Sequence, residues 1–484
     1  MLQQKPMIDL TRVFLVVAAL ISFCVFISFL NNTLYSSQVK IEKSDILMPL
    51  MDDEIYFDYA GAAPYTIEQI DQYSQFMKNN FLCNSHSPNV CGLRSSELVQ
   101  NTRDIILKYF NAQDDYIIIF TSGCTHALRV IGESFPFEEG SQFIFTKSNH
   151  NSVLGIREFA KLKKASFLSV DEYSSSYLKT TIHPSLFAFP AEDNFNGVQY
   201  PLEWIEDINK HENWYSLIDA AAFVSHSLLN LSQVKPHFVT LSFYKIFGFP
   251  MGIGALLMRK DVVDKMSPIY FGGGTVYASL PNVDYHVFFG FSSKFEAGTL
   301  PISSIVGIKY GFEMIKKRGG IKSIQKHVKI LTQKLVTSLK QTKFENGNPV
   351  FEIYGNHFKN SSLQGGIITF NIHKNDNSLI LTASINSFLR EKKINIRTGC
   401  MCNPGSCLKS LGINEDEYMN DIPKQPKGGF DSNSCLDIMV GNKEAGAIRV
   451  SIGYASTEEE IERLIEVLNE YFKENQMKIK IPIK

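Results

Sequence analysis

The sequence lacks a charge excess of either sign. Its 484 residues carry 48 Lys and Arg against 49 Asp and Glu, for a formal net charge of −1. With no basic surplus to neutralise a phosphate backbone, the electrostatic case for nucleic-acid binding is removed, and a small-molecule substrate or a protein partner is favoured. The chain also lacks the cysteine density of a disulfide framework, with 8 Cys in its whole length. The group Cys400, Cys402 and Cys407 reads instead as reactive or metal-binding thiols, which implies a reducing compartment. Internal repeats and low-complexity tracts are absent, which excludes solenoids and compositionally biased segments.

There is a single long apolar run, Val13 to Leu30, and it carries no charge. It lies at the short end of what spans a bilayer as a helix. An uncleaved anchor is the preferred reading over a secretory signal, because the run exceeds a signal core and no small-x-small site follows. Lys5 and Arg12 on one side balance Lys40 and Lys43 on the other, so the positive-inside rule leaves the orientation tied. The need of a reducing compartment for the thiols favours a single-pass membrane protein whose globular part faces the cytosol.

From about Asp45 the chain has ample hydrophobic material, 44% overall, for a large core. Short apolar runs predict strands at Tyr116–Thr121, Gln142–Thr146, Leu186–Phe189, Ser216–Ile218, Phe238–Leu241 and Gly254–Met258. Helical patterns such as Thr125–Glu133 and Leu202–Lys210 fall between them, which argues an α/β fold with a largely parallel sheet. After about Pro301 comes a long helical region, Ile302 to Leu339, then mixed elements including Gly366–Ile372 and Ser378–Glu391. An amphipathic helix over Thr457–Asn475 opens on a Thr457/Glu460 capping box. The expected division is an extension over 1–44, a large domain over 45–300 and a smaller α+β domain over 301–484. The stretch from Glu415 to Gly446, rich in Gly, Asn and Pro, reads as a long functional or mobile loop.

Several local patterns carry chemistry. At Phe120–Thr125 a strand-like run ends in Ser122-Gly123 and a helix begins, offering free backbone N–H groups to an anion; the ordinary alternative is a plain helix cap. Asp219 ends an apolar run, and Lys245 follows the next one. An isolated Lys is ordinarily a solvated surface residue. Together, an acid and a Lys at the carboxyl edge of one sheet suit pyridoxal phosphate: the Lys forms a Schiff base, and the acid keeps the ring nitrogen protonated.

Seven stretches extend this pattern: Tyr56–Ala62, Phe120–Thr125, Asn194–Val198, Ser242–Gly254, Phe271–Thr275, Phe295–Thr299 and Arg397–Gly405. On them the chain resembles, from about Ile55 to Phe472, the class V aminotransferases of PLP fold type I, a group that includes the cysteine desulfurases. Within the group it is most similar to the N-terminal desulfurase domain of the molybdenum cofactor sulfurases. The resemblance implies a mostly parallel large domain with a smaller α+β domain, pyridoxal 5′-phosphate as cofactor, L-cysteine as substrate and a homodimer. It implies Lys245 as the Schiff-base lysine, Asp219 as the partner of the ring nitrogen and His150 as the residue stacked on the ring. Thr125 and Ser242 would bind phosphate, and Thr299 would reach it from the neighbouring subunit. Asn194 would contact cofactor or substrate, and Arg449, helped by Arg397, would bind the substrate carboxylate. Cys402 would take the sulfur and pass it to an acceptor, molybdenum cofactor or a carrier protein. Attack requires a thiolate, which nearby Arg397 would favour. Gly399, Gly405 and the long loop would let the thiol move.

The chain departs from the bacterial pattern at Tyr244, where a His is common before the lysine, and at Ala222, where a Gln is common; both departures resemble the molybdenum cofactor sulfurase branch. Full-length members of that branch continue into a cofactor-binding domain, a region the resemblance does not reach. Competing readings are a general desulfurase or selenocysteine lyase, another class V transaminase, and an inactive membrane-bound scaffold. A zinc site from Cys400, Cys402, Cys407 and Cys435 is disfavoured by its spacing.

Overall fold

The computed structural model describes residues 53–422 and 438–480. Val13–Leu30 and Cys435 lie outside them. Among the described residues no helix is long and apolar enough to cross a membrane. The described residues belong to one compact unit.

Seven strands build the main sheet: β1 (Tyr116–Thr121), β2 (Gln142–Thr146), β3 (Ser166–Val170), β4 (Ser185–Pro190), β5 (Trp214–Asp219), β6 (Phe238–Ser242) and β7 (Gly254–Arg259). Their order is β1-β7-β6-β5-β4-β2-β3, and only β7 runs against its neighbours. Strands β1, β4, β5, β6 and β7 are almost wholly buried. That burial is why they read as continuous apolar runs rather than alternating ones. No apolar run predicts β3, an edge strand whose first four residues are exposed. Because six strands are parallel, the residues that follow β1, β2, β4, β5 and β6 gather along one edge.

A bidentate ion pair secures the β1 side of that edge. The Arg103 guanidinium donates to both Glu296 carboxylate oxygens, at 3.0 and 2.6 Å, and the Phe120 N–H donates to the same carboxylate at 2.6 Å. Both side chains are buried, so each charge depends on the other.

The second sheet is antiparallel: β8 (Phe351–Tyr354), β9 (Ile367–Ile372), β10 (Arg397–Gly399) and β11 (Ala447–Ser451), ordered β8-β9-β11-β10. Arg397 and Arg449 sit opposite each other in the β10–β11 pair. Ile55–Tyr56 pairs with Ile394–Asn395, and Asp58 bridges to Ser451. The aromatic N-terminal motif is thereby carried to the end of β11.

One expectation is refined and one needs correction. The region Ile302 to Leu339 is two helices, Ile302–Lys317 and Ile321–Gln341. Gly319 and Gly320 separate them, both at φ +80°, a conformation that glycine adopts without steric cost. The stretch from Glu415 to Gly446 is not one irregular loop: it begins as a helix, Glu415–Asp421, and ends in a hairpin, Met439–Val440 with Lys443–Glu444. The terminal helix Glu458–Glu474 has its capping box, with Glu460 N–H donating to Thr457 Oγ1 at 3.2 Å and Thr457 N–H to Glu460 Oε2 at 3.0 Å.

Candidate active site

A cavity of about 490 Å³ opens where the strand ends converge. Lys245 lies in the short helix Phe243–Phe247 directly after β6, and Asp219 is the last residue of β5. His150 caps the turn after β2, Asn194 follows β4, and Thr125 lies in the first turn of the helix Cys124–Ser134 after β1. All five line the cavity, together with Ser242, Tyr244 and Ala222. Chain topology thus collects side chains from five separate strand ends.

The cavity floor is preorganised. Asp219 Oδ1 accepts from Ala221 N–H at 3.0 Å and from the Cys124 thiol at 3.3 Å; that thiol also lies 3.2 Å from Thr240 Oγ1. Burial, and then the Asp219 charge, push the Cys124 thiol well above its ordinary pKa, so it is protonated at neutral pH. Burial holds the Lys245 pKa below the ordinary lysine value, outweighing the opposing pull of Asp219. His150 is likewise lowered, chiefly by burial. An amine that gives up its proton more readily and an imidazole biased to its neutral form suit a nucleophile and a ring-facing group.

At the opposite wall, Cys124 N–H donates to Ser242 Oγ at 2.9 Å, and Thr125 Oγ1 lies 2.8 Å from Ser152 Oγ. Gly123 takes φ +147°, and a side chain on Gly254 would meet Gly123 Cα at 2.7 Å. This tight glycine contact lets the two turns close over a helix N-terminus, a setting for an anion. His126 and Arg129 add donors there. The sequence analysis did not single out Cys124, His126, Arg129 or Ser152. Arg129 was detectable in principle, since it lies one helical turn beyond Thr125.

Arg449 is buried, donating to Asn194 O at 2.8 Å and to Asp58 Oδ1 at 2.7 Å, while its Nε has no partner. One edge of its guanidinium is therefore already neutralised. Neither Arg449 nor Arg397 lines the cavity, although both act electrostatically on Lys245. Thr299 is exposed and away from the cavity.

Cys402 is exposed and free. Its carbonyl accepts from Asn151 N–H at 2.8 Å, one residue beyond the cavity-lining His150. Met401 and Cys402 both have left-handed backbones, φ +55° and +57°, which cost roughly 1–2 kcal/mol each for non-glycine residues. Cys400 and Cys407 are joined as a disulfide across this turn, Cα–Cα 5.2 Å, and Cys83 is joined to Cys91. The first bridge corrects the reading of Cys400 and Cys407 as reactive thiols or metal ligands. Gly405 is likewise no hinge: a side chain there would strike Lys147 O at 2.1 Å, so it docks the helix Pro404–Leu411 against the main sheet.

The fold and cavity define an α/β enzyme built to hold an anionic cofactor between a lysine and a carboxylate. The chain belongs to the aminotransferase class-V family, which it matches over residues 55–464. Molybdenum cofactor sulfurase 3 of Aedes aegypti is 33% identical over 90% of this chain and 59% of that protein. Molybdenum cofactor sulfurase of Homo sapiens is 32% identical over 85% of this chain and 49% of that protein. The chain therefore spans about half to three-fifths of the length of these curated relatives. The apo cysteine desulfurase from Thermococcus onnurineus NA1 superposes with a TM-score of 0.72 at 22% identity, covering 89% of this chain and 97% of that one. It shares the fold.

Proposed function

We propose that the chain is a pyridoxal-phosphate-dependent L-cysteine desulfurase of the molybdenum cofactor sulfurase type, which forms a persulfide on Cys402 and hands the sulfur on. The observation that carries this reading is the convergence of Lys245, Asp219 and His150 in one cavity, with the Cys402 backbone bonded one residue from His150. A plain transaminase needs no exposed thiol beside its cavity.

The residues fit the cofactor. Lys245 would hold it, Asp219 would keep its ring nitrogen protonated, and His150 would flank the ring. Thr125, Ser242 and the N-terminus of the helix Cys124–Ser134, with Arg129 near, would bind the phosphate. When bound, the group supplies an electron sink for the α-carbon of the amino acid. Lys245, whose proton affinity is lowered by burial, would move the α-proton. Arg449 would bind the substrate carboxylate by its match to the family pattern, exchanging its Asp58 partner for the substrate. The Cys402 thiolate attacks the sulfur of L-cysteine; the substrate's C–S bond breaks, an S–S bond forms on Cys402, and alanine leaves once its β-carbon is protonated. No external oxidant is needed, because the electron pair of the broken C–S bond stays on the substrate's β-carbon, which is reduced and protonated as the sulfur is oxidised to the persulfide level.

The same reading includes a homodimer and a membrane anchor at Val13–Leu30. For the dimer, the support is the hairpin Val276–Leu280/Tyr285–Phe288 and its flanks, where Tyr277 is 77% and Phe291 71% exposed. A second copy would cover these apolar groups and bring its Thr299 towards the phosphate end. The acceptor in this reading is molybdenum cofactor or a carrier protein.

The test incubates the full chain with pyridoxal phosphate, L-cysteine and a thiol reductant and measures alanine and sulfide. Equal release of both, lost in Cys402→Ser while cofactor absorbance is retained, supports the reading. Alanine formation that survives Cys402→Ser points to a lyase that needs no enzyme thiol, and consumption of L-cysteine without alanine points to a transaminase.

A further inference from the structure

The Cys402 loop is seated on the main sheet's edge by a cluster of buried polar groups. Asn194 Nδ2 donates to Met401 O at 2.7 Å. Asn403 Nδ2 lies 2.8 Å from Ser148 O, 2.9 Å from Asp193 Oδ1 and 3.1 Å from Asn194 Oδ1. Ser406 Oγ donates to Asp193 Oδ2. On its other side Asp193 Oδ1 accepts from Phe195 N–H at 2.8 Å and more weakly from Asn196 N–H at 3.4 Å. Asp193 is fully buried, and among the described residues no cation pairs with it.

A buried carboxylate without a counter-cation is costly unless donors satisfy it. Here half of those donors belong to the turn carrying Cys402, so the carboxylate is satisfied only while that turn is docked. We propose that Asp193 is a positioning residue, which through Asn403 and Ser406 seats the Cys402 loop against the cavity. It touches neither substrate nor cofactor. Asn194 is part of the same seat: its side chain holds Met401 O, and its backbone carbonyl holds Arg449. The loop that carries the sulfur and the arginine that binds the substrate are therefore tied to one residue, next to Asp193. This inference rests on the desulfurase reading for its purpose but not for its geometry.

The experiment uses the full chain carrying Asp193→Ala or Asp193→Asn. It reads the iodoacetamide alkylation rate of Cys402 by peptide mass, without cofactor or substrate, and separately kcat and KM for L-cysteine and the cofactor absorbance. D193A is expected to change the Cys402 alkylation rate upward and kcat downward by about tenfold each, the worth of one hydrogen bond to a charged group, with KM and absorbance unaltered. D193N, whose amide keeps an acceptor for Asn403 and Phe195 and a donor for Ser406 Oγ, is expected to restore both. An alkylation rate within twofold of the parent in D193A overturns the proposal. So does a D193N variant as loose as D193A, because the hydrogen bonds would then not be the cause. If D193A does not fold, Ser406→Ala removes one donor from the Cys402 side alone, and an unchanged alkylation rate there also overturns it. A parent that releases no alanine sinks the desulfurase reading instead, and the alkylation rates still decide the seat.

Discussion

Cys124 and Cys402 are both free thiols among the described residues, yet one lies under the cavity floor and the other stands exposed on a turn. Cys124 is held by elements that the backbone ladder fixes: β5 and β6 supply Asp219 and Thr240, and the helix after β1 supplies Cys124 itself. Cys402 is held by two strained residues, a disulfide around it and side-chain hydrogen bonds to neighbouring loops. Pairing in a buried sheet is cooperative, whereas a handful of loop hydrogen bonds opens at far lower free energy. The difference separates two tasks. A cofactor needs a wall that stays put, and a sulfur carrier needs a seat it can leave.

The largest effect that would break this comparison lies on the wall. Lys245→Ala is expected to lower alanine release from L-cysteine by about 10³-fold or more, since it removes both the cofactor's covalent holder and the proton carrier. Alkylation of Cys402 in the same variant should stay at the parent rate. If Cys402 reactivity falls along with turnover, wall and loop are not separate.

Next comes the clamp behind the wall. Glu296→Ala leaves Arg103 buried and uncompensated and frees the Phe120 N–H. The expected loss is about 3–5 kcal/mol in urea unfolding, the usual cost of breaking a buried pair from one side. A loss under 1 kcal/mol would mean that β1 does not depend on the clamp.

How much of this was readable beforehand differs between the two regions as well. On the wall, strand ends fall where the apolar runs end, so Asp219 and Lys245 could be placed at one sheet edge from those runs, whereas Thr125 and Asn194 were placed by the family resemblance. The runs are legible because both faces of each strand are buried. Edge strand Ser166–Val170 escaped because burial does not constrain it. On the loop, contacts reach across more than 200 positions, as from Asp193 to Asn403 and Ser406, and no local pattern encodes them. The Cys400–Cys407 bridge depends on a turn that brings the two Cα atoms within 5.2 Å, and Gly405 read as a hinge because nothing local reveals Lys147 O beside it. Cys124 was hidden differently: at a helix start it reads as an ordinary cap.

A pH experiment sharpens the loop side. Burial pushes the Asp193 carboxyl up to about 6, with Glu192 adding to the rise and the hydrogen bonds from Ser406 and Phe195 opposing it. A pKa raised above the unfolded value near 3.9 contributes stability that is fully present below that value and lost as pH rises through about 6. Asp193→Asn cannot titrate. The stability of the parent relative to this variant should therefore fall on going from pH 4 to pH 7, by on the order of 2–3 kcal/mol. Urea midpoints at the two pH values give the difference, and a gap that does not move would mean that the carboxyl titrates normally.

The smallest effect is expected at the other thiol. Cys124→Ala removes a weak S–H donor from Asp219 but leaves the carboxylate its Ala221 N–H bond at 3.0 Å. A hydrogen bond of this kind contributes about 1 kcal/mol or less, so cofactor affinity should weaken by no more than about fivefold. The floor of the cavity is otherwise set by β5 and β6, which the substitution does not touch. Titration of the apo variant with pyridoxal phosphate, followed by absorbance, measures this. A hundredfold loss would mean that the thiol orients Asp219 in a way the strands alone do not, and the wall would then depend on single side-chain contacts just as the loop does.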